Sequence, residues 1–300
     1  MKKQLRGSLF LLLATIIWGS AFISQSVGMD HIQPFTFQAI RCFLAVLGLL
    51  PVIAIADRSK KDDNTFIGRW ANKQLWLAGI LCGIPLFMAC NLQQFGLVDT
   101  DPGKSGFLTA MYIVIVPVLG IFLKRKPTVM MPISVALAVA GLYFISFAGV
   151  PKVSTGDLIT VACAFMFAVQ IMFVDRFAPS VDPLRLNLIQ ALVCSVLSCI
   201  FMLATESPTV SGIIACRIPL AHAGFLSMGA AYALQIIGQK QVEPTAASLI
   251  MSLEAVFALT FSILLGMDRL DSTRVIGCTL MFAAVIISQI PVRNKQHSHS

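Results

Sequence analysis

Leu92-Gln93-Gln94-Phe95-Gly96 recurs 142 residues later as Leu234-Gln235-Ile236-Ile237-Gly238, and Pro102 recurs in the same register as Pro244. Upstream the offset is 149: Pro34 meets Pro183, Trp18 meets Phe167 and Arg41 meets Gln190. The change of offset falls in the charged loop after the second apolar run, where an insertion costs little. Self-similarity at a fixed spacing is the signature of a repeated architecture. The chain therefore reads as two related halves, 1–149 and 150–300.

The solvent of those halves follows from composition. The 300 residues are 57% hydrophobic and 12% charged, with mean hydropathy +0.84. A soluble domain is closer to a quarter charged, so lipid is the natural surroundings. Apolar runs lie at 8–27, 34–56, 74–97, 104–123, 128–149, 156–174, 185–204, 219–239, 245–266 and 272–291. Each approaches the roughly 20 residues that cross a hydrocarbon core about 30 Å thick. Backbone polar groups in hydrocarbon must be satisfied internally, which favours helices. A β-barrel would show alternating segments of about ten residues, and these runs do not alternate. The expected fold is all-α and membrane-integral, with ten transmembrane helices and no room for a soluble domain of about 50 residues or more.

Five spans per half is an odd number. The second half then starts on the opposite side of the bilayer, and the two repeats have inverted topology. Transporters of that plan hold their site near the midplane, at the repeat interface.

Lys and Arg set the orientation. With a cytoplasmic N-terminus, the inside segments carry 16 of them (among them Lys2, Lys3, Arg6, Arg58, Lys60, Lys61, Arg69, Lys73, Lys124, Arg125, Lys126 and Lys240). The outside segments carry 5: Lys104, Lys152, Arg217, Arg269 and Arg274. Both termini are expected in the cytoplasm and the protein in the cell membrane. Met1-Lys-Lys-Gln-Leu-Arg6 followed by an apolar run also has the look of a signal peptide. The run is long for that role and no small-x-small cleavage site follows, so it reads as the first span.

Several functions are disfavoured. The net charge of +8 lies between apolar runs rather than in a basic stripe with interleaved aromatics, so nucleic acid is not an expected partner. The eight cysteines include no CxxC pair, and most sit in apolar runs as small packing residues. His31, His222, His297 and His299 show no metal spacing, and no HExxH occurs. Gly103-Lys104-Ser105 lacks the glycine five residues upstream that a P-loop needs, since position 98 is Val. No metal, cofactor or nucleotide is expected, and transport would be driven by a gradient.

Several stretches resemble the drug/metabolite transporter superfamily, in its EamA-like branch. They are Leu11-Leu-Leu-Ala-Thr-Ile-Ile-Trp18-Gly19-Ser20-Ala21-Phe22, Arg41-Cys-Phe-Leu-Ala45, Asp101-Pro-Gly-Lys-Ser-Gly-Phe-Leu-Thr109 through Val116-Pro117, Gln239-Lys-Gln-Val-Glu-Pro-Thr-Ala-Ala-Ser248, and Leu253-Glu254-Ala-Val-Phe257. The resemblance covers nearly the whole chain. It implies ten helices, two EamA-like repeats and carriage of small organic solutes, often outward. The chain departs from the family where Lys124-Arg125-Lys126 follows span four and where Glu254 precedes Ala255 rather than proline. Members carry amino acids, drugs, sugars or nucleotide sugars, so the resemblance does not name the substrate.

Candidate substrate or coupling residues are Glu254, Arg41, Gln93, Gln235, Trp18, Gln25, Tyr112 and Tyr232. Glu254 sits about ten residues from either end of span nine. A charge there costs about 2.5–3.5 kcal/mol on insertion scales and marks a cavity or a partner. It is suited to carry a proton through a cycle or to meet a cationic substrate; an interhelical hydrogen bond is the plainer role. Arg41, about 10 Å deep at 1.5 Å per residue, suits an anionic substrate, a pairing with Glu254, or snorkelling toward headgroups. Gln93 and Gln235 are repeat-related and would face each other across a pseudo-two-fold axis, contacting a zwitterion or sugar or serving as interhelical glue. Trp18, Phe22 and Gln25 share one helix face, and Tyr112 and Tyr232 add phenols at depth. They would form a substrate cage, or simply pack. Gly79-x-x-x-Gly83 permits close helix approach, and Pro85, Pro117 and Pro132 are places to kink a span.

The leading expectation is a secondary transporter, an exporter of amino acids or related metabolites, proton-coupled through Glu254. Alternatives are a drug or sugar-type carrier of the same fold and a membrane enzyme with a lipid-like substrate. An enzyme would need clustered Asp, His or Ser at one membrane face, and none is found. A channel would need a continuous polar pore. The expected partners are a small-molecule substrate and the bilayer.

Overall fold

The computed structural model describes residues 2–58, 66–100, 102–124, 130–146, 154–266, 269 and 271–288. Among them there is no strand. Eight helices are long and apolar enough to cross a membrane: α1 (Lys2–Met29), α2 (Pro34–Arg58), α3 (Lys73–Asp99), α4 (Pro102–Phe122), α6 (Thr155–Phe177), α7 (Pro183–Thr205), α8 (Arg217–Gln239) and α9 (Pro244–Leu264). Two shorter apolar helices of 17 residues are α5 (Met130–Ser146) and α10 (Ser272–Ser288). Short helical turns at Phe66–Trp70 and Val210–Ala215 lie between spans. The basic residues expected at 60, 61, 125, 126, 152, 293 and 295 and the tail histidines lie outside the described residues.

Local chemistry sets the helix starts. Proline is the first residue of α2, α4, α7 and α9; its missing N–H costs nothing there and its φ is already helical. Asp182 caps α7, accepting from Leu184 N and Arg185 N at 3.1 Å each. Ser154 and Asp157 form a reciprocal capping box on α6.

The interruptions of the spans do not fall at the expected prolines. Pro85 and Pro117 lie inside continuous helical segments, and Pro132 lies in the first turn of α5, where no interior bond is lost. The interruptions are at Met111 in α4 and at Ser252-Leu253 in α9. The second helical segments therefore begin at Tyr112 and at Glu254, positions 142 apart. In α8, residues His222–Ala231 form a π-helical stretch.

The closest helix pairings are α3 with α6, α5 with α10, α2 with α7, α3 with α7, and α1 with both α8 and α9. Each joins a helix from before residue 150 to one from after it. Glycines set two of these approaches. A Cβ at Gly238 would come within 2.9 Å of the Gly7 carbonyl, and one at Gly156 within 2.7 Å of the Gly96 carbonyl. Gly83 faces Val193 of α7 and Gly79 faces Ile189, so the Gly-x-x-x-Gly pair is a packing surface. Six of the eight cysteines are buried and all eight are free thiols, in line with a packing role.

The ends of the α2–α7 pair are fastened by carboxylates. Glu206, just past α7, accepts from Phe35 N, Thr36 N and Thr36 Oγ1 at 2.6–2.8 Å. At the other end Asp57 bonds Arg185 of α7 and, at 2.5 Å, Arg69.

Candidate functional site

A cavity lies between α1, α2, α3, α4, α6, α8 and α9. Its volume is ≈ 460 Å³, with the space open to solvent at its mouth included. Its walls carry Trp18, Gln25, Arg41, Gln93, Tyr112, Tyr232, Gln235 and Glu254 together, with Phe22. They also carry Thr109, Phe167, Gln170, Ile171, Ser227 and Met251, which sequence reasoning did not select as site residues. Gln170 was findable as a lone amide deep in span six. Ser227 was not, because a single hydroxyl in a span bonds its own helix as readily as a ligand.

Arg41 is 2% exposed and does not snorkel. Span two carries it inward from Pro34, and the surrounding helices close over it. It does not pair with Glu254. Its Nη1 donates to Gln25 Oε1 at 2.5 Å, and its guanidinium lies 5.9 Å from the Phe37 ring centroid. Its Nε has no acceptor among the described residues. A buried guanidinium without a carboxylate carries a desolvation cost of several kcal/mol. Water or a bound anion is what offsets such a cost.

Glu254 is 5% exposed. Its Oε1 accepts from Tyr112 Oη at 2.9 Å. Both residues open a helical segment just after an interruption, which turns their side chains inward to meet. No cation pairs with Glu254 among the described residues.

Trp18 and Tyr232 meet edge to face, with ring centroids 5.0 Å apart, and the Trp18 indole N–H has no acceptor among the described residues. Tyr232 Oη lies 3.6 Å from Cys90 Sγ. Gln93 and Gln235 line the same cavity but bond different partners. Gln93 Nε2 donates to Thr109 Oγ1 at 3.1 Å, and Gln235 Nε2 donates to Gln170 Oε1 at 3.2 Å.

The pattern of the EamA-like transporter family matches residues 5–147 and again residues 154–289. The chain belongs to the EamA-like transporter family. This EamA-like protein is similar to an uncharacterized transporter of Archaeoglobus fulgidus, 29% identical over 298 residues, 97% of this chain and 88% of that one. It is also similar to the uncharacterized transporter YoaV of Bacillus subtilis, at 20% identity over 284 residues, 93% of this chain and 94% of that one. A solved crystal structure overlays with TM-score 0.73, covering 94% of this chain and 96% of that one; at 18% identity the likeness is one of fold. This EamA-like protein is thus a multi-pass integral membrane protein and a membrane transporter, of the drug/metabolite transporter superfamily.

Proposed function

We propose that this protein is a secondary carrier of a small zwitterionic metabolite, an amino acid or a close relative, moved outward across the cell membrane at the expense of a proton gradient. The observation that carries this reading is the buried cavity holding Arg41 and Glu254 without an ion pair between them. A substrate carboxylate would satisfy the Arg41 guanidinium, and a substrate ammonium would be drawn to Glu254. A proton on Glu254 would be the alternative occupant once the substrate has left, which couples the two fluxes.

The architecture we propose has ten spans in two inverted halves, 1–149 and 150–300, with both termini cytoplasmic. Two contacts favour it. Tyr112 bonds Glu254, and Cys90 meets Tyr232, each pair separated by the 142-residue offset. Residues on a two-fold axis touch their own mates, and an offset repeat without the axis would give no such contacts. Trp18, Phe22 and Tyr232 also leave room for a second reading, a carrier of aromatic drug-like or sugar-type solutes of the same fold. Nucleic acid is not a proposed partner, and no enzymatic role is proposed.

The test is flux in proteoliposomes loaded with a panel of labelled amino acids and sugars. Saturable efflux of an amino acid, lost on adding a protonophore and reduced at least ten-fold in Arg41→Gln, supports the reading. Amino-acid efflux indifferent to Arg41, or efflux of sugars alone, rejects it.

A further inference from the structure

A chain of four side-chain amides runs from α7, behind the cavity, to the cavity wall, and its direction can be read from one end. Asn187 of α7 donates its Nδ2 to two backbone carbonyls in the π-helical stretch of α8, Met228 O at 3.2 Å and Gly229 O at 2.8 Å. Carbonyls only accept, so the Asn187 amide cannot be turned round. Its Oδ1 then faces Gln190 and accepts from Gln190 Nε2 at 2.9 Å. Gln190 Oε1 accepts from Gln170 Nε2 at 3.2 Å, and Gln170 Oε1 accepts from Gln235 Nε2 at 3.2 Å. Every NH2 in the chain is committed in one direction. What is left over is Gln235 Oε1, on a residue 2% exposed at the cavity wall, with no donor among the described residues.

The other pole of the cavity is its complement. Arg41 only donates, and its Nε and the Trp18 indole N–H lack acceptors among the described residues. Position 190 shows how the two poles came to differ: it is the mate of Arg41 at the 149-residue offset, and it carries an amide instead of a cation. The first half supplies a donor pole. The second half supplies, through Asn187 and Gln190, an acceptor pole.

We infer that Asn187 and Gln190, which do not line the cavity, are positioning residues that fix the hydrogen-bond polarity of the substrate site, so that Gln235 presents its carbonyl oxygen to a donor group of the substrate, an amine. This rests on the reading above, with the substrate carboxylate at Arg41 and its ammonium drawn to Glu254, and adds a second acceptor for that amine, the Gln235 carbonyl oxygen. Without the Asn187 anchor, the chain of amides can reverse, and Gln235 can offer its NH2 instead. Gln235→Glu keeps an oxygen in place, whereas Gln235→Leu removes it.

The experiment compares L-leucine with 4-methylpentanoate and L-phenylalanine with 3-phenylpropanoate, each pair differing by the amine, in binding to the purified full-length protein. The wild type is expected to favour the amine-bearing member at least ten-fold, the lower bound for a hydrogen bond to a charged group. In Asn187→Leu that preference should fall at least three-fold, with Glu254 still drawing the amine and 3-phenylpropanoate bound as in wild type, and Gln235→Leu should do the same. Gln235→Glu should retain the preference. Each ratio is read on one sample, so a loss of folded protein does not move it. If Asn187→Leu does not fold, Gln190→Met breaks the chain one link further on. An amine preference unchanged in the Asn187 or Gln190 variant overturns the inference. So does a wild type that binds both members alike, which leaves the carboxylate reading intact. A wild type that binds neither member of either pair removes that reading, and this inference with it.

Discussion

Replacing Glu206 with alanine releases the fastening where α2 begins. The carboxylate accepts two backbone N–H groups and a hydroxyl, at 2.8, 2.7 and 2.6 Å. The first N–H groups of a helix have no intrahelical partner and form the positive end of its dipole. A hydrogen bond to a charged group contributes about 1.5–3 kcal/mol. Three of them on a half-buried group, discounted for screening by solvent, come to about 3 kcal/mol in all. At 1.4 kcal/mol per decade that is a factor of about 150 in an equilibrium. A carrier opens its two faces in turn, so the loss should appear chiefly as opening of this face. Cys216 is a built-in reporter, being fully buried in a small apolar cluster with Ile32 and Phe37 beside the start of α2. Its labelling by a membrane-impermeant maleimide, followed by peptide mass spectrometry, should accelerate by one to two orders of magnitude in Glu206→Ala. Asp57 is the mate of Glu206 at the 149-residue offset and holds the opposite end through Arg185, so Asp57→Asn should leave Cys216 labelling unchanged. A Cys216 rate within two-fold of wild type in Glu206→Ala would refute the reasoning, as would equal acceleration by Asp57→Asn.

Glu254→Gln keeps an oxygen for Tyr112 but removes the titrating carboxyl, so transport should lose its dependence on pH while the protein still inserts; unchanged pH dependence in vesicles removes its coupling role. Gly156→Ala and Gly238→Ala press a methyl against a facing backbone carbonyl, and each should cost about 1–3 kcal/mol, the range for overpacking, seen as a lower melting temperature in detergent. Gly106→Ala is the control, because its Cβ would meet its nearest neighbour at an ordinary 3.7 Å and helical alanine is favoured over glycine. Trp18→Ala removes the edge-to-face partner of Tyr232 and should weaken substrate binding in equilibrium titrations by more than it slows the maximal rate.

Arg41 and Glu254 were legible because a charge deep in an apolar run has few plain explanations. Their partners were not. Sequence offered each to the other, whereas Gln25 and Tyr112 take those places. Which residues meet depends on helix rotation, and the hydrophobic pattern of a span that is apolar nearly all round does not encode rotation. The same weakness hid Asn187 and Gln190, whose importance comes from partners on two other helices, α6 and α8. The eight long apolar helices could be read from run length alone. The interruptions at Met111 and Ser252-Leu253 could not, since neither glycine nor proline marks them. Pro85 and Pro117, which do carry the usual mark of a break, are held within helical segments.

The interleaving of helices has a consequence for biogenesis. Every one of the closest pairings crosses residue 150, so a ribosome that has released only the first five apolar segments has delivered helices without their neighbours. α1 waits longest, since it is made first and its partners α8 and α9 come near the other end of the described chain. Either segment 1–149 or segment 150–300 expressed alone should be cleared by quality control, whereas the two expressed together as separate polypeptides should rescue one another.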